Sequence, residues 1–275
     1  MMRGNIGLAA VQWGAMPSDE VLLEIAENVA TATINRPQAR NALNSAVLAE
    51  LNAVLTGLSK DSSVRVVILR GAGDVAFSAG ADLKEVAALK DLPARRRYFG
   101  GVAQVLEVLH RMPQPVIARV AGFALAGGMG LAMGCDFAIA ADSAEFGLPE
   151  INLGLFPMVV MAPILRLCGP RAAVELALGG ERINAQRASQ LGLVTRVVPL
   201  SQLDSEVQRL ARRLAGFSPL ILDLGKNAIY GIAGMDYMSA LAHLREMVAL
   251  VSTSEDLAEG VDAFLNKRAP QFKGR

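Results

Sequence analysis

Residues 121–150 read AGFALAGGMGLAMGCDFAIAADSAEFGLPE, an apolar run punctuated by glycines that ends on a lone carboxylate. Val116–Val120 just before it has the composition of a buried strand. Ala126-Gly127-Gly128 is a turn, Gly128 to Met133 continues as a short helix, and Phe137–Ala141 is apolar again. Strand, turn, helix and strand in such quick succession define an α/β chain whose strands are buried and largely parallel. The small residues of the turn let backbone approach a ligand closely. The helix that follows aims unpaired N–H groups at negative charge. Glu150 is the carboxylate placed to move a proton there.

The same alternation extends outward. Val21–Glu27 and Val29–Asn35 pattern as a hairpin around Asn28, and Asn35-Arg36-Pro37 ends its second strand. From Ser45 to Leu58 apolar residues recur at helical spacing, with Ser45 as the N-cap, and Val64–Leu69 reads as a buried strand. Gly71-Ala72-Gly73-Asp74 and Ser78-Ala79-Gly80-Ala81-Asp82 lead into a short helix. Helices are expected over Ala94–His110 and Met158–Leu167, and a strand over Val194–Val198. After that the pattern becomes helix upon helix: Leu203–Leu214, Leu220–Ile229, Met238–Val251 and Glu255–Asn266. The organisation expected is a flexible N-terminal extension over 1–18, an α/β core over 19–200 and a helical C-terminal subdomain over 201–275. That subdomain packs on the core or on a neighbouring subunit.

A 275-residue chain that is 52% hydrophobic supplies ample material for a core, and its net charge of +1 offers no field for nucleic acid. Arg95, Arg96 and Arg97 form the only basic run and read as a solvated helix face. Cys135 and Cys168 have no paired spacing, which fits a reducing compartment, so a cytoplasmic location is expected. Arg119 and Asp136 interrupt the longest apolar stretch, which argues against a membrane span. His110 and His243 are the only histidines and both sit among apolar residues of a helix; neither a G-x-S-x-G elbow nor a P-loop occurs. Histidine-driven nucleophilic catalysis and P-loop nucleotide binding are thereby set aside.

What remains is a pair of glycine-bearing turns, Ser78–Asp82 and Ala126–Gly128, each after a strand and before a helix. Together they can offer two backbone N–H groups to one oxygen. With TINRPQARNALN, AFSAGADLKE, AGFALAGGMGLAMGCDFAIA, EFGLPEINLG and EGVDAFLNKRAP in this order, the chain resembles the enoyl-CoA hydratase/isomerase, or crotonase, superfamily over about residues 20–275. The resemblance implies a crotonase-like spiral of repeated ββα units, followed by a helical region that mediates assembly as a homotrimer or a dimer of trimers. It implies an acyl-CoA substrate, with coenzyme A as part of the substrate and no resident metal or redox cofactor.

Carried over by position, the resemblance gives the oxyanion-hole N–H groups to Ala81 and Gly127 and the acid/base role to Glu150. It places coenzyme A against Ala39 and Arg40, against Ala81, Asp82, Leu83 and Lys84, and, at the adenine end, against Phe264 and Lys267. Met129, Gly130, Leu148 and Met158 are drawn on for an apolar acyl pocket. Two-carboxylate hydratases carry their other glutamate twenty residues before the second, at a position taken to lie in the same helix; here that residue is Gly130. Asp82 is read as a helix cap, and Glu85 as a replacement carboxylate only by default. The function expected is an enoyl-CoA hydratase-like reaction through an enolate. A single-glutamate isomerase that moves a 3-enoyl to a 2-enoyl double bond, and a CoA-ester-binding member without catalysis, stay open as alternatives.

Overall fold

The computed structural model describes residues 19–275, so the extension expected over 1–18 lies outside the described residues. Strands Val21–Ala26 (β1) and Val29–Ile34 (β2) pair antiparallel. They turn through Glu27 and Asn28 at φ 49° and 63°, the left-handed pair that a two-residue hairpin loop of matching twist requires. Helix Ser45–Leu58 (α1) follows and buries Val47, Leu48, Leu51, Val54, Leu55 and Leu58. Its cap is Asn44, whose side chain accepts from the Val47 N–H. Ser45, expected in that role, is already the first helical residue, and Glu85 takes both its N–H and its hydroxyl.

The core then repeats one device. Val66–Gly71 (β3) and Ala76–Ser78 (β4) precede helices Leu83–Ala88 (α2) and Leu92–Arg111 (α3). Val116–Val120 (β5) and Phe123–Leu125 (β6) precede Gly127–Gly134 (α4). Phe137–Ala141 (β7) and Glu145–Gly147 (β8) precede a 3-10 turn, Pro149–Leu153, and helix Met161–Gly179 (α5). Arg182–Asn184 (β9), Ala185–Gln190 (α6) and Arg196–Val198 (β10) close the core. The first strand of each repeat joins a six-stranded sheet, β1-β2-β3-β5-β7-β10, and the second joins a four-stranded sheet, β4-β6-β8-β9. Apart from β1 with β2 and β8 with β9 the pairings are parallel. This is the ββα spiral, each turn of which delivers one βα junction to the same end of the small sheet.

Helix α5 starts three residues later than expected and runs twelve further, from Met161 to Gly179 instead of Met158 to Leu167. Gly169 at φ 72° and ψ 172° breaks it, and Pro170, whose missing N–H is no loss at a helix start, opens its second half. Helix Leu200–Ala215 (α7) lays Leu203, Val207, Ala211 and Leu214 on the large sheet. Arg119 of β5 pins it by bonding Asp204 through Nε at 2.7 Å. Helices Pro219–Gly231 (α8) and Tyr237–Val251 (α9) bury no residue fully, and Glu255–Leu265 (α10) buries only Asp256 and Ala263. Lys226 of α8 reaches the core, donating to Asp136 at 2.9 Å and to the carbonyls of Leu109 and Gln114. No helix among the described residues is long and apolar enough to cross a membrane.

Candidate active site

Two junctions of the spiral meet at the end of the small sheet. In the first, β4 leads through Ala79 and Gly80 to Ala81, which forms a lone parallel bridge with Leu43. The Leu43 N–H donates to Gly80 O at 2.8 Å and the Asp82 N–H donates to Leu43 O at 3.1 Å. Within a planar trans peptide the C=O and the following N–H point opposite ways. Gly80 O faces Leu43, so the Ala81 N–H points away from it, and no protein acceptor receives it among the described residues.

The second junction is Ala126. Its N–H donates to Gly147 O at 2.9 Å, and its carbonyl accepts from the Gly130 N–H at 3.1 Å. The same peptide rule sends the Gly127 N–H out of the N-terminus of α4, again without a protein acceptor. Ala126 holds this turn at φ 52° and ψ −127°, a conformation ordinarily left to glycine at the first central position of a type II′ turn. Such strain costs of order 1–3 kcal/mol and is stored where a group must be aimed. The junctions touch: a Cβ built on Gly80 would lie 3.1 Å from the Gly127 nitrogen, and one built on Gly127 would lie 4.0 Å from the Ala81 nitrogen.

Glu150 follows β8, whose Gly147 pairs with Leu125 in register and accepts from the Ala126 N–H. It lies in the 3-10 turn, 8% exposed, and its Oε2 is buried without a hydrogen-bond partner. Desolvation pushes its carboxyl pKa above the ordinary value of 4.5. A buried carboxylate outside any salt bridge is the electrostatic setting of a proton carrier, because its charged form is not tied up by a cation.

Gly130 and Glu150 do not share a helix, as the sequence reading supposed. α4 ends at Gly134, and β7 and β8 intervene. Nor is there room at position 130. A Cβ there would lie 2.1 Å from Val160 Cγ1 and 2.5 Å from Val160 Cβ, and Val160 is 3% exposed. Valine fills the volume that a side chain on residue 130 would need.

The other expected residues divide. Ala39 lies in a 3-10 turn, Pro37–Ala39, and the exposed Arg40 ends it at φ 52°. Arg40 O accepts from the Ala79 N–H at 3.0 Å, which ties this turn directly to the Ala81 loop. Asp82 caps α2 by accepting from the N–H groups of Lys84 and Glu85 and pairs with Arg36 at 3.0 Å; Leu83 and Lys84 stand exposed after it. The Arg36 hydrogen bond contributes to holding the Asp82 carboxyl below its ordinary range against the opposing effect of burial. Glu85 is engaged at the start of α1 and is not a free acid. Phe264, 83% exposed, and Lys267 at the end of α10 share no hydrogen bond or ion pair with this cluster among the described residues.

The residues drawn on for an acyl pocket lie in different settings. Met129 and Leu148 have no accessible surface and belong to the core, Gly130 is covered by Val160, and Met158 is 73% exposed. Arg95, Arg96 and Arg97 are exposed, as a solvated face requires, and His110 stacks on Tyr230 with ring centroids 4.7 Å apart. No group of three or more His, Cys, Asp and Glu converges as a metal site among the described residues.

Sequence reasoning missed the side chains that hold the site together. Arg36 bonds Glu20, Asp82 and Ala42 O. Asn41, fully buried at φ 54°, bonds Ala72 O, Ala76 O and the Arg36 N–H. Both belong to the quoted NRPQARNAL segment, where a polar residue beside a turn was the available signal. Val160 carried none, because its role depends on a glycine thirty residues away.

A ββα spiral thus brings together two backbone N–H groups that have no protein acceptor, and a buried carboxylate follows the strand that pairs beside one of them. Comparison with known proteins makes this specific. The profile of the Enoyl-CoA hydratase/isomerase family matches residues 24–275, and the chain belongs to that family. It is 39% identical over 259 residues to the crotonyl-CoA hydratase of Syntrophomonas wolfei, covering 94% of this chain and 99% of the relative. The 2,3-dehydroadipyl-CoA hydratase of Escherichia coli is 39% identical over 257 residues, covering 93% and 99%. A crystal structure of an enoyl-CoA hydratase from Bacillus anthracis superposes with a TM-score of 0.89 at 37% identity, covering 93% of this chain and all of that one.

Proposed function

We propose that the protein hydrates a 2-enoyl-CoA thioester, with Glu150 as the acid/base and the Ala81 and Gly127 N–H groups as the oxyanion hole. The observation that carries this reading is the pair of unpaired N–H groups on touching junctions. As a water oxygen bonds to the β-carbon, Glu150 takes a proton from that water and electron density moves onto the thioester oxygen. The two donors hold the resulting enolate, and the proton returned to the α-carbon completes the addition. Each donor contributes about 3–4 kcal/mol if it meets charge that develops only in the transition state. The elevated pKa of Glu150 suits both halves of this transfer.

The turn at Ala39 and Arg40 and the segment Ala81 to Lys84 are assigned to coenzyme A, because they form one surface beside the N–H pair. Phe264 and Lys267 are assigned to the adenine end of a site on an adjoining subunit. The unburied helices α8 to α10, with Ile229, Tyr237, Met238 and Leu265 exposed, support assembly as a trimer or a dimer of trimers. The reaction calls for no resident cofactor, and the unpaired cysteines suit the cytoplasm.

The Gly130–Val160 contact keeps a one-carboxylate 1,3-proton shift chemically available, but relatives named as hydratases do not favour it. Purified protein is expected to hydrate a 2-enoyl-CoA, read as loss of the conjugated thioester absorbance. If that substrate is inert while a 3-enoyl-CoA gains conjugation, the enzyme is an isomerase; if both are inert, the non-catalytic reading holds.

Gly80→Ala tests the hole. At φ +87° the new Cβ would lie 2.6 Å from Ala126 Cβ and 2.8 Å from Leu125 O. It is expected to cost about 1–3 kcal/mol of stability and to lower kcat at least about 10-fold by separating the donors. A thermal melt and steady-state rates check both; unchanged turnover would count against the Ala81/Gly127 assignment.

A further inference from the structure

Tyr98 belongs to no motif, yet its hydroxyl stands at the bridge that carries Ala81. The side chain comes from α3 and is 3% exposed. Its hydroxyl donates to Leu43 O at 2.5 Å and accepts from the Asp82 N–H at 3.0 Å. The Asp82 N–H also reaches Leu43 O, so the three groups close a triangle. The bridge between Leu43 and Ala81 is isolated, with no ladder on either side. Two backbone bonds alone fix the peptide units that flank Ala81, and they follow Gly80, the residue with the freest backbone in the loop. Tyr98 supplies the third anchor, from a separate twenty-residue helix.

We propose that Tyr98 is a positioning residue for the oxyanion donor: its hydroxyl locks the peptide units around Ala81 so that the N–H is aimed at the thioester oxygen before substrate arrives. This rests on the reading of Ala81 and Gly127 as the oxyanion hole. Tyr98 touches neither substrate nor reacting atoms in this role; it acts through Asp82 and Leu43. Burial pushes its phenol up to about 12, so it stays neutral and keeps its donor proton through the neutral pH range. A small misplacement of a group aimed at the reacting atoms, of order 1 Å, lowers rate by about 10²-fold, and a loosened loop produces displacements on that scale.

The test is Tyr98→Phe, which keeps the ring and removes the hydroxyl. Its kcat is expected to fall about 10- to 100-fold with KM changed less than about threefold, since the lost aim matters to the transition state more than to binding. A second readout separates aim from stability. An aryl-conjugated 2-enoyl-CoA absorbs further to the red when its carbonyl is hydrogen-bonded, so the shift on binding reports the hole directly. The parent and Glu150→Gln should show the full shift, and Tyr98→Phe a smaller one. If Tyr98→Phe folds poorly, fluorinated tyrosines at position 98 vary the strength of the hydroxyl as a donor while keeping its shape, and the shift should change with it. The proposal is overturned if Tyr98→Phe keeps the parent's shift and kcat and loses only thermal stability, or if the fluorinated series leaves the shift unchanged. Absence of any shift in the parent would instead sink the oxyanion-hole reading, and this proposal with it.

Discussion

Glu150→Gln is expected to lower kcat for hydration by about 10²- to 10⁴-fold and, at the same time, to raise the melting temperature at neutral pH. The first effect follows from its proposed role. Glutamine keeps the shape of the side chain and hydrogen-bonds water but cannot hold the proton between its removal from water and its delivery to the α-carbon, so KM should change little. The second effect follows from burial. Oε2 has no partner and the carboxyl is desolvated, so ionised Glu150 opposes folding. Because its folded pKa is raised, the folded chain binds this proton more tightly than the unfolded chain does. Stability contributed by this group is therefore greatest in acid and falls as pH rises from about 4.5 through the folded pKa. Glutamine removes that penalty. Its advantage in melting temperature should be largest at about pH 8 and vanish below about pH 4. Melts of both proteins across this range check the sign. A variant less stable than the parent at pH 8, or one that still turns over at the parent's rate, would remove Glu150 from the centre of the mechanism.

That combination of lower activity and greater stability marks residues held for chemistry, and it bears on what a sequence can reveal. The long elements were legible because their periodicity runs over many residues. The α1 stripe from Val47 to Leu58 and the β5 run from Val116 to Val120 fall where the pattern put them. The three-residue strands Ala76–Ser78, Phe123–Leu125 and Glu145–Gly147 show no period of their own. The pattern alone predicts no strand at any of them, and only the resemblance to a known family supplies the second strand of each repeat.

At the site, residue identity was legible wherever it reflected a backbone constraint. Gly80 at φ +87° and Gly128, whose Cβ would lie 2.3 Å from Ser78 O, announce themselves as glycines in a turn. Tyr98 and Val160 do not, since an apolar stretch looks the same whether a member packs anywhere or against one particular group. Met129 and Leu148, likewise apolar in the sequence, are core residues. The lack of a carboxylate at position 130 was plain from the sequence. What occupies its place was not.

That occupant makes the remaining prediction sharp. Gly130→Glu alone is expected to fail, destabilising the fold by about 3 kcal/mol or more through overpacking and an added buried charge. Rotating Val160 does not relieve it, because Val160 Cβ itself would stand 2.5 Å from the new Cβ. For the same reason Val160→Ala does not make room, whereas Val160→Gly does, and residue 160 has φ −77° and ψ −10°, which glycine adopts freely. Residue 130 stands one helical turn after Gly127, and positions three apart share a helix face, so a carboxylate there lies on the same face as the proposed oxyanion donor Gly127. The double variant Gly130→Glu/Val160→Gly should therefore recover a cooperative melt and hydrate a 2-enoyl-CoA at least about 10-fold faster than Val160→Gly alone, the gain expected when a second group shares the proton transfers. The steric argument collapses if Gly130→Glu alone melts like the parent. If the double variant folds but is no faster than Val160→Gly, one carboxylate already does all that this site requires.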